Sequence, residues 1–595
     1  MSLPMFARSR RGRPQLFALA LAAGIPSLMT AQAAPADPRV GLAAGWKDAG
    51  QAIRGLELVS HRDRPEGFYD AARLGDFRYV NSDLAFKGSL VFQGGYNGIQ
   101  VWDIASPANP VLKLAMKCPG GQGDVSVLGT LMFMSVEEYS GRVDCGAQGV
   151  KDSVSMERFI GVRIFDITDV AAPKPVAAVQ TCRGSHTHTL VTKPGVNDKV
   201  WVYVSGTSPS RSGSELAGCS GKGPAEDPNT SYFRIDVIEV PLANPSAARV
   251  VSGPRIFADS TGKINALWKG GSHGPNTQET SDTDQCHDIT AYPALGIAAG
   301  ACSGNGILLD ITDPASPKRL TEVIDPNFSY WHSATFNNAG TTVLFSDEWG
   351  GGVAPRCRAT DRPEWGADAI FRLNAKARKL THAGYFKIPA AQTAAENCVA
   401  HNGSLIPVPG RDLMVQSWYQ GGISVFDFTN PAKPVEIAFF DRGPVDAQRP
   451  VLAGFWSAYW YNGHIVGSEI ARGLDVFKLV PSEYLTQNEI DAAALVQVGT
   501  FNPQLQERLE WPAAFVVARA YLDQLVRGNG LAKGRTTAIG AALDAAERAS
   551  GPARSAQLRT LASALDRDAR RAKDGPRVKA MADVVRRLAT TSAGT

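Results

Sequence analysis

The 595-residue chain lacks several features that would assign it to a familiar class at once. It has almost no charge excess, because 61 Lys and Arg against 57 Asp and Glu leave a net charge of +4. The overall charge therefore gives no reason to expect nucleic-acid binding. No two cysteines show the close C-x-x-C spacing of zinc–thiolate sites, and no phosphate loop is present. Ser185 and Ser333 lie beside histidines, but neither lies in a G-x-S-x-G elbow. A composition of 44% hydrophobic and 20% charged residues is nevertheless typical of a folded protein with a large core.

The chain also lacks an apolar run long enough to span a membrane, even at its amino terminus. There, four arginines precede the apolar residues 16–23 and the small-residue sequence A-Q-A at 31–33. This arrangement predicts that residues 1–33 are a signal peptide and that the mature protein is secreted or periplasmic, without a transmembrane segment. The S-R-R sequence at 9–11 matches a twin-arginine signal only in part, so both export routes stay open.

The eight cysteines are an even number, and an exported protein meets an oxidising environment, so disulfides are expected. One pairing follows from the sequence. Cys286 and Cys302 lie symmetrically about the turn signal at 293–295, and a hairpin there would place them opposite each other. The pairing of the other six cysteines stays open.

A repeat organises the middle of the chain. Variants of the sequence G-x-x-V-x-D-I occur at 98–104, 161–167, 306–311, 422–428 and 473–478. Most copies follow a β-rich hairpin and precede a proline-rich turn, so each unit supplies several short strands. Four-strand units repeated over roughly 400 residues are typical of a β-propeller. With two weaker copies the units number seven, and their inner strands are predicted to begin near Tyr79, Gly123, Ser185, Cys286, Tyr330, Val399 and Phe455.

The predicted fold is therefore all-β, a seven-bladed β-propeller over residues 34–480, with a C-terminal α-helical bundle. Residues 53–59 are expected to supply the fourth strand of the last blade. Residues 481–502 form the predicted connector, and residues 503–595 show apolar side chains at helical spacing, enough for three or four helices. The bundle carries 16 Lys and Arg against 9 Asp and Glu, which favours either a solvated basic surface or docking on an anionic partner.

The repeat motif, G-x-x-V-x-D-I followed by D/S-P-x-x-P, resembles that of the bacterial LVIVD-repeat family of secreted β-propeller proteins. The resemblance covers roughly residues 50–490. It implies the propeller architecture, but it says little about chemistry, because a fold does not determine a function.

Five of the nine histidines fall at the predicted starts of inner strands in four consecutive blades, and they are His186, His188, His287, His332 and His401. A propeller brings these starts together around one mouth of its channel, where the second strands also end, carrying Glu348 and Glu469 among other carboxylates. Imidazole is the commonest protein ligand for transition metals. The pattern predicts a histidine-lined site for copper, zinc or iron, with Glu348 or Glu469 as a ligand or general base.

Two functions from different classes follow. The first is an exported metal-dependent enzyme, an oxidoreductase or otherwise a hydrolase, acting on a small-molecule substrate. Its histidine-lined mouth is similar in architecture to the copper-dependent propellers of the selenium-binding protein/methanethiol oxidase family, although no motif matches residue by residue. The second is a non-catalytic propeller that binds a cell-surface polymer or protein, with histidines that only hydrogen-bond neighbouring blades. Neither interpretation involves nucleic acid, and metal content separates them.

Overall fold

The computed structural model describes residues 37–259, 261–264, 267–374 and 376–591. The predicted signal peptide, residues 1–33, lies outside the described residues. Across the described ranges the chain is mostly β, with 32 strands and five α-helices. None of the helices in these ranges is long and apolar enough to cross a membrane.

The strands of the first half of the chain are β1 (Gln51–Arg54), β2 (Leu56–Asp63), β3 (Asn81–Lys87), β4 (Leu90–Gly95), β5 (Gly98–Asp103), β6 (Val111–Lys117), β7 (Val125–Leu128), β8 (Leu131–Val136), β9 (Gly161–Asp166), β10 (Lys174–Gln180), β11 (His188–Lys193), β12 (Val196–Val204), β13 (Asp236–Pro241), β14 (Arg249–Ser252), β15 (Lys269–Ser272) and β16 (Glu279–Asp282). Those of the second half are β17 (Asp288–Tyr292), β18 (Ile297–Cys302), β19 (Asn305–Asp310), β20 (Lys318–Val323), β21 (Trp331–Phe336), β22 (Thr342–Asp347), β23 (Asp368–Asn374), β24 (Lys379–Phe386), β25 (Asn402–Ile406), β26 (Leu413–Ser417), β27 (Ile423–Asp427), β28 (Val435–Arg442), β29 (Phe455–Tyr461), β30 (His464–Glu469), β31 (Gly473–Leu479) and β32 (Thr500–Phe501).

Most strands belong to consecutive antiparallel groups of four. Four groups form sheets of their own, β7–β10, β11–β14, β17–β20 and β21–β24, while β3–β6 gains β32 as a fifth strand. The groups β25–β28 and β29–β31 share a nine-stranded sheet through parallel pairing of β25 with β29. The predicted closing strand at 53–59 is two strands in the structure: β2 completes the last group by pairing with β31, and β1 pairs with β28 of the group before it.

The first strand of each group, called the inner strand, contacts the inner strand of the next group, and the last contacts the first. In cyclic order the inner strands are β3, β7, β11, β17, β21, β25 and β29. Each begins within three residues of the start predicted from the repeat. Because the contacts close into a ring, the fold is propeller-like, and the ends of the inner strands gather at two opposite ends of this ring.

Four disulfides join all eight cysteines, in the pairs Cys118–Cys145, Cys182–Cys219, Cys286–Cys302 and Cys357–Cys398. The predicted Cys286–Cys302 pairing is confirmed. In each pair one cysteine lies in the segment that leads into an inner strand, so all four disulfides brace the same end of the ring. Disulfides at this density are typical of exported proteins.

Five helices follow the strands β29–β31. They are α1 (Gln487–Ala494), α2 (Phe515–Arg527), α3 (Lys533–Arg548), α4 (Gly551–Ala569) and α5 (Gly575–Thr591). The helix α1 lies inside the predicted connector, and α2–α5 share one apolar core. Buried Glu489 of α1 accepts hydrogen bonds from Arg411, which precedes β26, and from Arg527 of α2, which ties the helices to the strands.

We call residues 498–511 the strap, because they cross the carboxyl-terminal ends of several inner strands. Within it, β32 pairs with β3. The Asn502 side-chain amide bonds both the N–H and the C=O of Val127 on β7, and the Gln506 amide does the same with Phe336 on β21. The Gln506 backbone N–H also donates to the carbonyl of Ala291 on β17. The strap therefore links inner strands across one end of the ring.

Candidate metal centre

Four of the five predicted histidines lie side by side at the other end of the ring, where the inner strands begin. His186 precedes β11, His287 precedes β17, His332 is the second residue of β21 and His401 precedes β25. Their ring centroids are separated by 4.4 Å (His186–His287), 3.9 Å (His287–His332) and 4.1 Å (His332–His401). The convergence predicted from the repeat thus joins residues up to 215 positions apart in the sequence.

The buried part of this row has the composition of a metal site. His332, His401 and Glu348 present ligand atoms that all lie within 4.8 Å of one another. The Nε2 atom of His332 is 3.9 Å from Glu348 Oε2, and that of His401 is 3.5 Å from Glu348 Oε1. Two ligands at about 2.0–2.1 Å from a tetrahedral ion lie about 3.3 Å apart, so little movement would bring all three onto one ion.

Both Nε2 atoms in this group are buried without a hydrogen-bond partner. The Nδ1–H of His401 donates to the carbonyl oxygen of Trp456, so its Nε2 atom is the one that faces Glu348. Burial and the neighbouring imidazoles lower the pKa of His332 well below its ordinary value, so this ring is neutral at neutral pH. Neutral imidazole with a free nitrogen lone pair is the form that binds a metal ion.

Glu348 is held in place from behind. It directly follows β22, and the Tyr419 hydroxyl donates a 2.5 Å hydrogen bond to its Oε1. Burial raises the pKa of this carboxyl, but the adjacent His401 and Tyr419 outweigh it and hold the pKa below the ordinary value, so Glu348 is ionised. Carboxylates that bind a metal ion are usually held in place by an outer hydrogen bond of this kind.

The outer part of the row is a chain of hydrogen-bonded pairs. The His186 Nδ1 atom lies 2.6 Å from Glu137 Oε2, and its Nε2 atom lies 2.7 Å from His287 Nε2. On the far side, His287 Nδ1 lies 3.0 Å from Asp288 Oδ1. Burial disfavours a charge on His186, but the charge and hydrogen bond of Glu137 raise its pKa to about 9, whereas burial and His186 lower the pKa of His287 to about 3.

The structure does not bring His188 or Glu469 into this row. The His188 Nδ1 atom contacts Ser135 Oγ at 2.8 Å and Asp124 Oδ2 at 3.2 Å, so its ring belongs to a different set of contacts from that of His186. Glu469 is fully buried and accepts hydrogen bonds from Arg472 and from nearby backbone N–H groups. Its charge is therefore already paired, and its expected role as ligand or base is not supported by its contacts.

The interior of the ring, between its two ends, carries buried carboxyls. Asp83 on β3 accepts hydrogen bonds from the Tyr459 hydroxyl at 2.6 Å and from Asn402 at 3.2 Å, and the strap residue Gln504 lies 3.4 Å away. Burial, and then the charge of Asp124, raise the pKa of Asp83 to about 7. The same two causes raise the pKa of Asp288 to about 7.

The sequence places Tyr419 at a strand end near the predicted mouth, but sequence reasoning gave it no chemical role there. Tyr419 follows β26 as Glu137 follows β8 and Glu348 follows β22, so its position at the end of a second strand was the available signal. It has a positive φ of 52°, a conformation uncommon for a tyrosine. The backbone in this conformation directs the hydroxyl to Glu348.

Comparison with known proteins identifies no family: no family model matches the chain, and no curated protein does. Similar solved structures include the periplasmic gluconolactonase PpgL of Pseudomonas aeruginosa, at 10% identity over 73% of this chain and 99% of that chain, with a TM-score of 0.41. Others are the Cps50 (Swd1) β-propeller domain of Myceliophteria thermophila (11%, 68% and 98%, TM-score 0.39) and hydrazine synthase of Kuenenia stuttgartiensis (10%, 70% and 100%, TM-score 0.40). At these values the similarities assign no activity to this chain.

Proposed function

We propose that this protein is an exported oxidoreductase that acts on a small-molecule substrate with a transition metal held by His332, His401 and Glu348. One observation carries the proposal. Two buried imidazole Nε2 atoms without partners lie close to one ionised carboxylate. Lone pairs and negative charge gathered in a buried place are unfavourable unless a cation binds among them.

The donor set also limits the metal. Two imidazoles and one carboxylate suit iron, copper or zinc, and this set with open positions is characteristic of non-haem Fe(II) oxygenases. Three protein ligands leave room for a water, dioxygen or a substrate oxygen on the ion. His287, whose ring lies against that of His332, is the nearest further imidazole.

The protein's own residues would do the remaining work. Tyr419 and the Trp456 carbonyl orient Glu348 and His401 through one hydrogen bond each. The His332 and His401 side chains are 1% and 0% exposed, which keeps bulk water from competing for the ion. Tyr330 is partly exposed and packs against His287, so the substrate would approach on that side.

In the same proposal the ring is a seven-bladed propeller, secreted or periplasmic, and it belongs with the LVIVD-repeat proteins, whose repeat it resembles. The cyclic order of inner strands supports this blade count, since β3–β6 and the six other groups each contribute one strand to it. The helices α2–α5 form the C-terminal bundle in this description.

The test is elemental analysis of the full chain purified after export, without chelators or a metal-affinity step, beside the double variant Glu348→Gln/His401→Ala. We expect about one equivalent or more of a transition metal in the wild type and loss of the ion from this site in the folded variant. The control is His382→Ala, which removes an exposed imidazole on β24 and should leave metal content unchanged. Circular dichroism confirms that each variant folds.

The metal-loaded protein is then reduced with ascorbate under argon and exposed to dioxygen. A metal that cycles between two oxidation states supports the oxidoreductase, whereas a redox-inert ion such as zinc directs assays to hydrolysis. Metal that is absent from the wild type, and not regained from added copper, zinc, iron or manganese, would overturn the proposal. The ring would then be a scaffold that binds a cell-surface polymer or protein.

A further inference from the structure

The outer histidine pair has a symmetry that the proposed metal site does not use. A carboxylate lies behind each ring, Glu137 at 2.6 Å from His186 Nδ1 and Asp288 at 3.0 Å from His287 Nδ1. Because each carboxyl group occupies the Nδ1 side of its ring, the two rings direct their Nε2 atoms at each other. A carboxylate behind a histidine is the common arrangement for imidazoles that bind metal through the opposite nitrogen.

The two Nε2 atoms are only 2.7 Å apart. Two nitrogen lone pairs cannot face each other at this distance, so the two rings share one proton in the metal-free protein. Two nitrogens at about 2.0–2.1 Å from one tetrahedral ion lie about 3.3 Å apart, so an ion that replaced this proton would part the two rings by about 0.6 Å. Imidazole nitrogens favour copper and zinc among the ions that could replace the proton.

We infer that the row of imidazoles binds two transition-metal ions, the second of them between His186 and His287. This inference rests on the proposed function, which supplies the first ion at His332, His401 and Glu348. Ligand groups also gather around His287, since its ligand atom and those of Asp288 and His332 lie within 4.8 Å of one another. The rings of His287 and His332, with centroids 3.9 Å apart and planes inclined at 40°, separate the two positions.

The two positions differ in their exposure. The side chains of His186 and Glu137 are 18% and 16% exposed, against 1% and 0% for His332 and His401. The outer ion is therefore the one that a substrate meets first. An ion held at this outer position would polarise an oxygen atom of the substrate as a Lewis acid, which selects small molecules that bind through oxygen.

The experiment is a titration of the metal-free full chain with copper(II) alone, followed by removal of loosely bound ion and measurement of copper per chain. We expect two equivalents in the wild type, one in His186→Ala and one in Glu348→Gln/His401→Ala. Glu137→Gln keeps the His186 ring but removes the charge behind it, and we expect it to weaken the outer site about 10- to 100-fold while two equivalents still bind at saturation. His382→Ala is the control and should bind two equivalents.

The other outcomes separate the two claims. One equivalent in the wild type that persists in His186→Ala would overturn the second ion and leave the proposed site intact. One equivalent that is lost in either variant would show a single ion shared by all four imidazoles, which also overturns the inference. No copper in the wild type would overturn the second ion, and the same titration with zinc, iron and manganese would then decide whether the proposed first site stands. Electron paramagnetic resonance gives a second measure, since coupling between adjacent copper(II) ions lowers the spin count per copper, and His186→Ala should restore it.

Discussion

The two ends of the ring are built in opposite ways. At the strap end, the amides of Asn502 and Gln506 pair completely with backbone groups of β7 and β21, so the polar groups of those strands find partners within the chain. At the histidine end, buried Nε2 atoms of His332 and His401 have no such partners. Buried polar groups in folded proteins are nearly always hydrogen-bonded, so these unpartnered ring nitrogens beside the Glu348 carboxylate support the proposed ion site at the histidine end.

The two ends also differ in what fixes them. All four disulfides brace segments that lead into the inner strands, and three of them lie within four residues of a histidine of the row. These are Cys182 before His186, Cys286 before His287 and Cys398 before His401. The strap end is held by hydrogen bonds and apolar contacts. Covalent bracing at the histidine end suits a site that must keep its geometry while ions and substrates exchange.

The largest expected effect comes from removing one of these braces. In the Cys357→Ser/Cys398→Ser variant the lost cross-link spans 41 residues, which by chain entropy corresponds to about 4 kcal/mol of unfolding free energy. Because Cys398 is three residues before His401, we also expect weaker metal binding. Chemical denaturation and a metal titration measure the two effects.

Removal of Cys118–Cys145 is the matched comparison. Its cross-link spans 27 residues, so a similar loss of stability is expected, about 3.5 kcal/mol, but no histidine of the row follows Cys118. Metal affinity should therefore stay close to that of the wild type. Equal loss of metal affinity in both variants would contradict the view that the disulfides hold individual ligands.

The next effect tests the strap. Asn502→Ala leaves the N–H and the C=O of Val127 buried without partners, which should lower the free energy of unfolding by about 1–3 kcal/mol. Metal binding at the opposite end should be unchanged. Gln497→Ala, an exposed change just before the strap, is the control and should have no measurable effect on the thermal midpoint. A strap variant that lost metal while still folded would show that the two ends are coupled rather than separate.

The sequence predicted much of the histidine end of the ring but not the strap end. The repeat located the starts of the inner strands within three residues, because each unit carries its own glycine and proline turns. Once those starts are aligned, the convergence of His186, His287, His332 and His401 follows from ring symmetry. That alignment could not show that His188 contacts Asp124 instead, because the side-chain direction depends on the local course of the backbone before β11.

The strap was not predictable in the same way. Asn502 and Gln506 lie in a polar stretch without periodicity, and their partners Val127 and Phe336 are 375 and 170 residues away. No local pattern encodes such a contact, because an amide side chain can pair with any free strand end. The ion pair of Glu469 with Arg472 could not be predicted for a simpler reason. In the sequence, a carboxylate at a strand end is the same residue whether its charge is free or paired.

The smallest expected effect concerns Asp83, whose carboxyl interacts with residues from both ends of the ring. Its carboxyl contacts the strap residue Gln504 and is electrostatically linked to Asp124 and Asp288 on the histidine side. Its pKa is raised from 3.8 to about 7, so the folded protein binds this proton more tightly than the unfolded chain. The resulting stabilisation is fully present below the unfolded pKa and is lost as the pH rises through 7.

Between pH 6 and pH 8 this loss amounts to about 1 kcal/mol for the metal-free protein. Asp83→Asn keeps the shape of the side chain and removes its titration, so its thermal midpoint should fall less over this interval than that of the wild type. Comparison of the two profiles cancels the parallel contribution of Asp288, whose pKa is also about 7. Identical profiles would mean that Asp83 is ionised throughout, and that its contacts with Tyr459 and Asn402 outweigh the cost of burying its charge.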